Sequence, residues 1–439
     1  MANPFLPLWE YIPDGEPRVF GDRVYIYGSH DRPSSPYFCD YKYKVWSAPL
    51  NDLNNWQCHG DSFHTLDDDD HKSDTPWTDR ELYACDVVEH KGKYYLYSYI
   101  LNSKGCVSVS DKPEGPFKLV STYKYDEADA GDDGIFNDPG VLVDDDGRVY
   151  IYYGFLKSHF GELDPENMYE IKKGSYRCDM MPEGEGETDF FEASSIRKIN
   201  GRYYFIYSPR EGHRLDYAVS DFPWGPFERK GTIVDNGKDY PAGNNHGSLC
   251  CINGQWYIFY HRMTNNSIMS RRACAEPVEI LPDGTIPEVE MTSLGFEKSL
   301  NPYRIVPADI ACVLKGDCFV TELDRFTRVI SSIKKGSIIG YKYFDFGEDY
   351  SSKTMNFSMK IRGTGCVGRI RILIDDYENG EEIGVCETGA SDGVYSCRVK
   401  NVTGRHSVFF VAEHIYDGWY EHAFKDRSIF ELEAFSFMK

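Results

Sequence analysis

The stretch Gly147-Arg-Val-Tyr150-Ile-Tyr152 places a glycine turn just ahead of an aromatic-rich strand. Four other segments share the glycine and the anchoring tyrosine: Gly21-Asp-Arg-Val-Tyr25-Ile-Tyr, Gly92-Lys-Tyr-Tyr95-Leu-Tyr, Gly201-Arg-Tyr-Tyr204-Phe-Ile and Gly254-Gln-Trp-Tyr257-Ile-Phe. The five tyrosines are 70, 55, 54 and 53 residues apart. Because strand, glycine turn and strand are typical of a β-hairpin, the chain repeats one hairpin at a nearly constant interval.

A second motif follows two of these hairpins. Val109-Ser-Asp111-Lys-Pro113-Glu-Gly-Pro-Phe117 matches Val219-Ser-Asp221-Phe-Pro223-Trp-Gly-Pro-Phe227. Two further strands per unit make about four strands in roughly 50–55 residues, which is the size of a propeller blade. Repeats of the competing β-solenoid fold are usually shorter, so the spacing predicts an all-β fold with a five-bladed β-propeller over residues 1–300.

The repeat stops at about residue 301. Beyond it lie a period-2 run at Arg369–Ile372 and a strand-like run at Ser407–Val411. Several short strands of this kind are typical of a β-sandwich. The sequence therefore predicts two domains, a catalytic propeller over 1–300 and a sandwich over 301–439.

Composition excludes several classes of partner. The net charge of −22 argues against nucleic acid and against an anionic membrane, since both attract basic surfaces. No stretch approaches the ~20 apolar residues of a membrane span, and no signal-peptide pattern opens the sequence. The 13 cysteines are scattered, without a Cys-x-x-Cys pair. We therefore expect a cytoplasmic protein.

Polar or acidic side chains recur 9 to 12 residues ahead of each anchoring tyrosine. They are Asp14, Asp86, Asp138, Glu192 and His246. The innermost strands of a propeller line its central channel, so equivalent positions of five blades should converge at one end of it. Carboxyls that are brought together shift one another's pKa values. Hydrolysis of a glycosidic bond needs one protonated carboxyl for the leaving oxygen and one ionised carboxyl to activate water.

Several segments, in order and spacing, resemble glycoside hydrolase family 43. They are Asn3-Pro-Phe-Leu-Pro7 with Pro13-Asp14-Gly-Glu-Pro17, Asn137-Asp138-Pro139-Gly, Phe191-Glu192-Ala-Ser-Ser, and Asn245-His246-Gly247-Ser with Tyr260-His261-Arg262. The resemblance spans residues 1 to about 300. It implies an inverting enzyme with Asp14 as general base, Glu192 as general acid and Asp138 as the group that tunes and orients the acid. Base and acid should then stand ~6.5–9.5 Å apart, which leaves room for a water.

Two positions leave alternatives open. The family usually has Asp-Pro at the base, whereas here Gly15 follows Asp14, so Glu16, which precedes Pro17, is an alternative base. Arg271 lies where the family places a sugar-binding arginine, and the adjacent Arg272 is the alternative for that role.

The remaining predicted contacts complete the ring around the channel. Asp86 is expected to contact substrate, and Trp9, Trp77 and Phe191 are candidates for stacking on sugar rings. His246 resembles the family histidine that holds a hydrated calcium or sodium ion in many members. Because imidazole is a poor ligand for hard cations, waters would complete that shell. No organic cofactor is implied.

The tail, residues 301–439, resembles a family 6 carbohydrate-binding module. Gly340-Tyr-Lys-Tyr-Phe-Asp345-Phe-Gly347 and Val402-Thr-Gly404-Arg-His-Ser carry this likeness. Members often present a tryptophan where this chain has Tyr395. A purely structural sandwich is therefore an alternative to a sugar-binding one.

Together these patterns predict an exo-acting, inverting glycoside hydrolase. It would remove pentose units from hemicellulose-derived oligosaccharides such as arabinoxylan or arabinan fragments. An α-L-arabinofuranosidase is the first hypothesis and a β-xylosidase the alternative. A non-catalytic carbohydrate-binding propeller is an alternative of another class, and the joint presence of Asp14, Asp138 and Glu192 argues against it.

Overall fold

The computed structural model describes residues 2–126, 135–181, 186–348 and 351–439, which form seven β-sheets. The first sheet contains β1 (Glu16–Phe20), β2 (Arg23–Tyr27), β3 (Lys42–Pro49) and β4 (Gln57–His64), and the second contains β5 (Leu82–His90), β6 (Lys93–Ile100), β7 (Cys106–Ser110) and β8 (Lys118–Thr122). The third contains β9 (Gly140–Val143), β10 (Val149–Tyr153), β11 (His159–Leu163) and β12 (Arg177–Cys178), and the fourth contains β13 (Phe190–Ile199), β14 (Arg202–Pro209), β15 (Arg214–Ser220) and β16 (Glu228–Asp235). The fifth contains β17 (Ser248–Ile252), β18 (Gln255–Thr264) and β19 (Ser267–Val278).

These five sheets form a closed ring. Each is antiparallel, with its strands side by side in chain order. The first strand of each sheet contacts the first strand of the next, in the sequence β1, β5, β9, β13, β17 and back to β1. The predicted five-bladed propeller is thereby confirmed, with the first strand of every blade on the central channel.

The repeat glycines lie in the turns between the first and second strands of the blades. All five have positive φ, namely 60° at Gly21, 75° at Gly92, 81° at Gly147, 79° at Gly201 and 84° at Gly254. In three of these turns the preceding residue also has positive φ, at Lys91, Asn200 and Asn253. Two successive positive φ values define the type I′ hairpin, which explains why the motif keeps a glycine there.

The apolar core of the propeller lies between successive blades. Tyr27 of the first blade packs in one cluster with Leu96 of the second, and Tyr152 of the third in another with Phe205 of the fourth. The inner and middle strands therefore bury aromatic side chains against the neighbouring blade. This is the reason for the aromatic-rich repeat.

The last blade differs from the predicted four strands. It has three strands, and residues of the N-terminal segment lie along the free edge of β19. The Phe5 amide donates to the Ala273 carbonyl (3.1 Å), and the Asn3 side chain exchanges hydrogen bonds with the backbone of Ala275 (2.8 and 2.9 Å). The start of the chain thus ties itself to the last blade and closes the ring.

The other two sheets follow the propeller in the chain. Their elements are β20 (Val306–Pro307), a 3-10 turn (Ala308–Ile310), β21 (Val313–Lys315), β22 (Phe319–Asp324), β23 (Thr327–Ile333), β24 (Ile338–Asp345), β25 (Thr354–Gly363), β26 (Gly368–Ile374), β27 (Glu381–Thr388), β28 (Gly393–Lys400), β29 (Arg405–His414), α1 (Gly418–Phe424) and β30 (Phe430–Met438).

These strands form the predicted β-sandwich. One sheet has the order β22-β23-β30-β25-β28, with β20 also on β30, and the other β21-β24-β29-β26-β27. Phe357 and Phe435 of the first sheet pack in one buried cluster with Phe410 of the second. The exact boundary at residues 300 and 301 stays a prediction. No helix in the described ranges is long and apolar enough to span a membrane.

The sandwich packs against the last blade and the N-terminal segment. Arg272 donates to Asp309 at 2.7 Å, and both side chains are buried. The Asn265 amide donates to the Val320 carbonyl at 2.7 Å, and Arg328 donates to the Leu8 carbonyl at 2.7 Å. These contacts join the sandwich both to the last blade and to the N-terminal segment, so the two domains share one buried interface.

Candidate active site

A cavity of about 900 Å³ opens at one end of the propeller channel. Its walls combine acidic, basic and aromatic side chains: Asp14, Phe38, Tyr83, Tyr99, Asn102, Ile135, Asn137, Asp138, Phe155, Lys157, His159, Cys178, Glu192, Asn244, His246 and Arg271. The volume is within the range of small-molecule sites, and a few polar groups converge between aromatic walls. This cavity holds the predicted acid and base candidates.

Five of these residues, one from each blade, define what we call the upper layer. They are Asp14, Tyr83, Asp138, Glu192 and His246, and each lies 11 or 12 residues before the anchoring tyrosine of its blade. The repeat therefore brings four of the five predicted ring residues together. In the second blade the position belongs to Tyr83, which sequence reasoning missed because the nearest acid, Asp86, lies three residues later.

A second set, nine residues before each anchoring tyrosine, forms what we call the lower layer. It contains Glu16, Asp86, Val141, Ser195 and Ser248. The Ser195 hydroxyl donates to Glu16 (3.0 Å) and lies 2.7 Å from the Ser248 hydroxyl, and the Val141 amide donates to Asp86 (2.7 Å). This layer comes two or three residues after the upper layer in each blade, and none of its members lines the cavity, so it lies deeper in the channel.

Two arginines neutralise the lower layer. Arg18 donates to both Asp86 oxygens, at 2.9 and 2.5 Å, and Arg197 donates to Glu16 at 2.9 Å. Asp86 is fully buried and does not line the cavity, so the prediction that it contacts substrate is wrong. Its spacing of nine rather than twelve residues places it one level too deep.

The alternative base, Glu16, belongs to the same buried network. Burial alone would raise the pKa of Glu16, but Arg197 and Arg18 outweigh it and hold that pKa below its usual value. Glu16 is 3% exposed and does not line the cavity, whereas Asp14 does. A base must reach the attacking water, so this placement favours Asp14.

Asp14 is held as a carboxylate by its neighbours. Burial alone would raise its pKa, but Arg271, His246 and His261 outweigh it and keep the pKa below its usual value. Arg271 donates to Oδ1 at 2.8 Å and the Ser29 hydroxyl donates to Oδ2 at 2.6 Å. The fixed carboxylate suits a general base.

Arg271 is held between Asp14 and Asp31. Its Nε and Nη2 donate to the two oxygens of Asp31, both at 2.9 Å, and its backbone amide donates to the same residue at 3.0 Å. Nη1 donates to Asp14, so direct sugar binding by Arg271 stays a prediction for the second hydrogen of Nη1. Arg272 is not an alternative, since its guanidinium is buried against Asp309. Asp31 was missed, because no local pattern marks a partner 240 residues away.

Glu192 and Asp138 have the opposite electrostatic environment. Burial, with the charge of Asp14, raises the pKa of Glu192 to about 7 against the pull of Arg271. Burial, with the charges of Glu192 and Asp14, raises the pKa of Asp138 to about 7 against the pull of His246. A carboxyl with such a pKa carries a proton near neutral pH, as a general acid requires.

The backbone couples these two acids. The register of β13 against β14 shifts on both sides of Glu192, and the next residue, Ala193, has φ of 68°. The Ala193 amide donates to Asp138 Oδ2 at 3.1 Å. Asp138 thus fixes the peptide that follows Glu192, which is a positioning role.

Two histidines flank the carboxylates. His246 Nδ1 lies 3.9 Å from Asp14 Oδ1 and 3.8 Å from Asp138 Oδ2. His261 was not predicted to take part, yet its Nδ1 accepts the Asp14 amide at 3.3 Å and its Nε2 lies 3.1 Å from the Asn244 carbonyl. Burial and Arg271 lower the pKa of His261 to about 3. The ring orients the backbone of Asp14.

The predicted stacking residues lie away from the cavity lining. Trp9 packs edge-on against Phe326 of the sandwich (5.7 Å), and the Trp77 indole donates to the Lys104 carbonyl (3.3 Å). The structure does not support sugar stacking in this cavity by either tryptophan. Phe191 contacts Phe155, which does line the cavity, at 5.0 Å, so its role stays a prediction.

A propeller whose channel mouth holds one carboxylate with a lowered pKa beside two carboxyls with pKa values raised to about 7 has the fold and site of a glycoside hydrolase. The family model of glycosyl hydrolases family 43 matches residues 3–286. The chain belongs to this family.

Similar proteins agree with this assignment. A xylosidase/arabinosidase of Thermoclostridium stercorarium is 37% identical over 464 aligned residues, covering 93% of this chain and 95% of its own. A solved arabinoxylan arabinofuranohydrolase from Bacillus subtilis, in complex with cellotetraose, covers 100% of this chain and 97% of its own with a TM-score of 0.57; at 22% identity it shows the fold alone. A solved β-xylosidase/α-arabinofuranosidase from a compost metagenome, with xylotriose and in a calcium-free form, is 26% identical, has a TM-score of 0.55 and covers 66% of this chain and 98% of its own.

Proposed function

We propose that this chain is an exo-acting, inverting hydrolase that removes α-L-arabinofuranosyl units from arabinoxylan or arabinan oligosaccharides. The observation that carries the proposal is the upper layer, where Asp14 is held ionised while Glu192 is held protonated in one cavity. An inverting glycosidase needs this division of protonation between two carboxyls.

In the proposed mechanism Asp14 and Glu192 act on opposite sides of the scissile bond. Asp14 removes a proton from a water, whose oxygen attacks the anomeric carbon. The bond to the leaving oxygen breaks as Glu192 delivers its proton to that oxygen. Arg271 keeps Asp14 ionised, and Asp138 positions the peptide beside Glu192.

The choice of pentose rests on the relatives. Their names join xylosidase with arabinosidase, and two others are named arabinoxylan arabinofuranohydrolase. This supports activity on xylan-derived oligosaccharides, with β-xylosidase as the second candidate because one relative is named for that activity alone.

The experiment compares kcat/KM on p-nitrophenyl α-L-arabinofuranoside and on p-nitrophenyl β-D-xyloside, with the product anomer followed by proton NMR. We expect the arabinofuranoside to be preferred and the first product to have inverted configuration. Preference for the xyloside would exchange the two candidates. Retained configuration would contradict the mechanism, and sugar binding without turnover of either substrate would indicate a non-catalytic propeller.

A calcium or sodium ion beside His246 is also proposed. The amide oxygens of Asn244 and Asn245, next to His246 in the chain, are buried and have no hydrogen-bond partner within the described residues. Oxygen is the ligand that calcium prefers, so these residues fit a hydrated hard cation better than His246 does alone. When bound, such an ion would add positive charge near the acids. Chelation followed by calcium titration, read by melting temperature, tests this.

We further propose that the protein works in the cytoplasm on short imported oligosaccharides. All 13 cysteines are free thiols, as a reducing compartment permits. Nine of them are buried, Cys397 is partly exposed, and Cys58, Cys178 and Cys251 are exposed. Fractionation of producing cells tests this: recovery of the protein in the medium would contradict it.

A further inference from the structure

A group of metal-ligating side chains lies in the first blade, outside the catalytic cavity. Asp61 and His64 are on β4, and Asp68 is in the segment that follows it. One ligand atom from each of these residues lies within 4.8 Å of the other two. His64 Nδ1 is 3.6 Å from Asp68 Oδ2, and His64 Nε2 is 4.0 Å from Asp61 Oδ2.

His64 is the observation that distinguishes this group from an ordinary acidic surface. The residue is 5% exposed, yet among the described residues neither ring nitrogen has a hydrogen-bond partner. The ring of His71 stacks on it at 4.0 Å. A largely buried imidazole whose nitrogens lie 3.6 and 4.0 Å from two carboxylates of the group is placed to ligate a cation together with them.

The surrounding contacts hold the group in place. Asp68 Oδ1 accepts the amides of Asp70 (3.0 Å) and His71 (2.7 Å), which leaves Oδ2 to face His64. Asp74 Oδ2 accepts the His64 amide at 2.9 Å and lies 3.0 Å from His71 Nε2. Supporting contacts of this kind orient ligands at metal sites.

We propose that Asp61, His64 and Asp68 bind a divalent transition-metal ion of the zinc class. One imidazole and two carboxylates are a ligand set that zinc accepts, with water as the fourth ligand, whereas calcium prefers an all-oxygen shell. Zinc bonds of ~2.0–2.2 Å place tetrahedral ligands about 3.3 Å apart. The ligand atoms lie within 4.8 Å of one another, so the carboxylates need to close by at most about 1.5 Å. Both are exposed, which leaves them room to move.

The ion would join the end of β4 to the segment that leads to β5. The Thr65 hydroxyl donates to the Arg80 carbonyl at 2.6 Å, so the two ends of this segment already meet. Tyr83 of the upper layer lies three residues further on. The site would therefore brace the segment that precedes one wall of the catalytic cavity, and its role is structural.

The test uses the full-length, untagged protein, freed of metal by chelation, with exposed thiols alkylated. Zinc affinity is measured by calorimetry, and coordination geometry by the visible absorption of bound cobalt. The matched variants are Asp68→Asn and Asp70→Asn, which remove the same charge from the same exposed segment. We expect the wild type and Asp70→Asn to bind one zinc ion alike and to show a tetrahedral cobalt spectrum, and Asp68→Asn to bind at least about tenfold more weakly.

Equal zinc affinity in both variants would overturn the proposal, because diffuse acidic charge would then explain the binding. Failure of the wild type to bind zinc or cobalt would overturn it as well. Lys42 provides a sharper arm, since its ammonium lies 2.8 Å from Asp61 Oδ2 and competes with a metal ion. Lys42→Met should bind zinc several-fold more tightly than the wild type, and weaker binding would contradict the assignment of Asp61 as a ligand.

Discussion

The two layers of the channel contain the same types of charged residue but differ in how many arginines face their carboxyls. Asp14 lies two positions before Glu16, the first residue of β1, and both are buried. In the lower layer, Glu16 and Asp86 meet two arginines, Arg18 and Arg197, so that its charges balance. In the upper layer, three carboxyls share one arginine, Arg271, which contacts Asp14 alone among them.

This imbalance separates the upper layer, which we propose is catalytic, from the lower one. Where each carboxylate has a guanidinium partner, both charges can persist in a buried site. In the upper layer, burial together with the charges of neighbouring carboxylates raises the pKa of Glu192 and Asp138 to about 7, so both carboxyls retain part of their protons near neutral pH. A carboxyl suited to act as an acid therefore arises from burial without its own counter-charge rather than from a special residue type.

Removal of the acid should give the largest effect. We expect Glu192→Ala to lower kcat/KM for an arabinofuranosyl oligosaccharide by ~10²–10⁴-fold, because no other group would protonate the leaving oxygen. The loss should shrink for a nitrophenyl substrate, whose leaving group needs less protonation. A melting temperature equal to that of the wild type controls for folding. An equal loss on both substrates would contradict the role of Glu192 as acid.

Breaking the balance of the lower layer should cost stability. Arg197→Met leaves buried Glu16 with Arg18 alone, 3.5 Å away and already hydrogen-bonded to Asp86, so we expect a loss of about 3–5 kcal/mol in unfolding free energy, measured by urea denaturation. Activity per folded molecule should stay within about tenfold of the wild type. A stable but inactive variant would show that the lower layer takes part in catalysis.

The sequence predicts the parts of this site that the repeat specifies, but not contacts between residues far apart in the chain. The glycine repeat predicts the propeller, and the register of its strands brings Asp14, Asp138 and Glu192 together. The spacing from the anchoring tyrosine also identifies Tyr83, which a search for acidic residues alone leaves out. Asp31 is different, because its partner Arg271 lies 240 residues away, and only the closed ring makes them neighbours.

The pH dependence of catalysis should follow the upper layer. Asp14 must be ionised, and its pKa lies below the usual range, whereas Glu192 must be protonated, and its pKa is about 7. We therefore expect kcat/KM to be constant in mildly acidic buffer and to fall tenfold per pH unit well above pH 7. A plateau that extends beyond pH 9 would contradict the raised pKa of the acid.

The raised pKa of Glu192 should also make the unfolding free energy depend on pH, although this effect is smaller than the effect on catalysis. The pKa of Glu192 is raised on folding, so its contribution is favourable at low pH and is lost as pH rises toward 7. The unfolding free energy of Glu192→Gln, relative to that of the wild type, should then be about 1–2 kcal/mol higher at pH 8 than at pH 5. This value is moderate because the side chain is partly exposed. Denaturation at both pH values checks this, and a constant difference would argue against a buried charge.

The most direct test compares Asp14→Asn with Glu16→Gln, since each removes one carboxylate charge from the same stretch of the first blade. Both kcat/KM on an arabinofuranosyl oligosaccharide and the unfolding free energy are measured for the two variants. We predict that Asp14→Asn loses ~10²–10⁴-fold in kcat/KM and remains folded, while Glu16→Gln keeps its activity within about tenfold and loses stability. An active Asp14→Asn beside an inactive, stable Glu16→Gln would contradict the division of the channel into a catalytic and a structural layer.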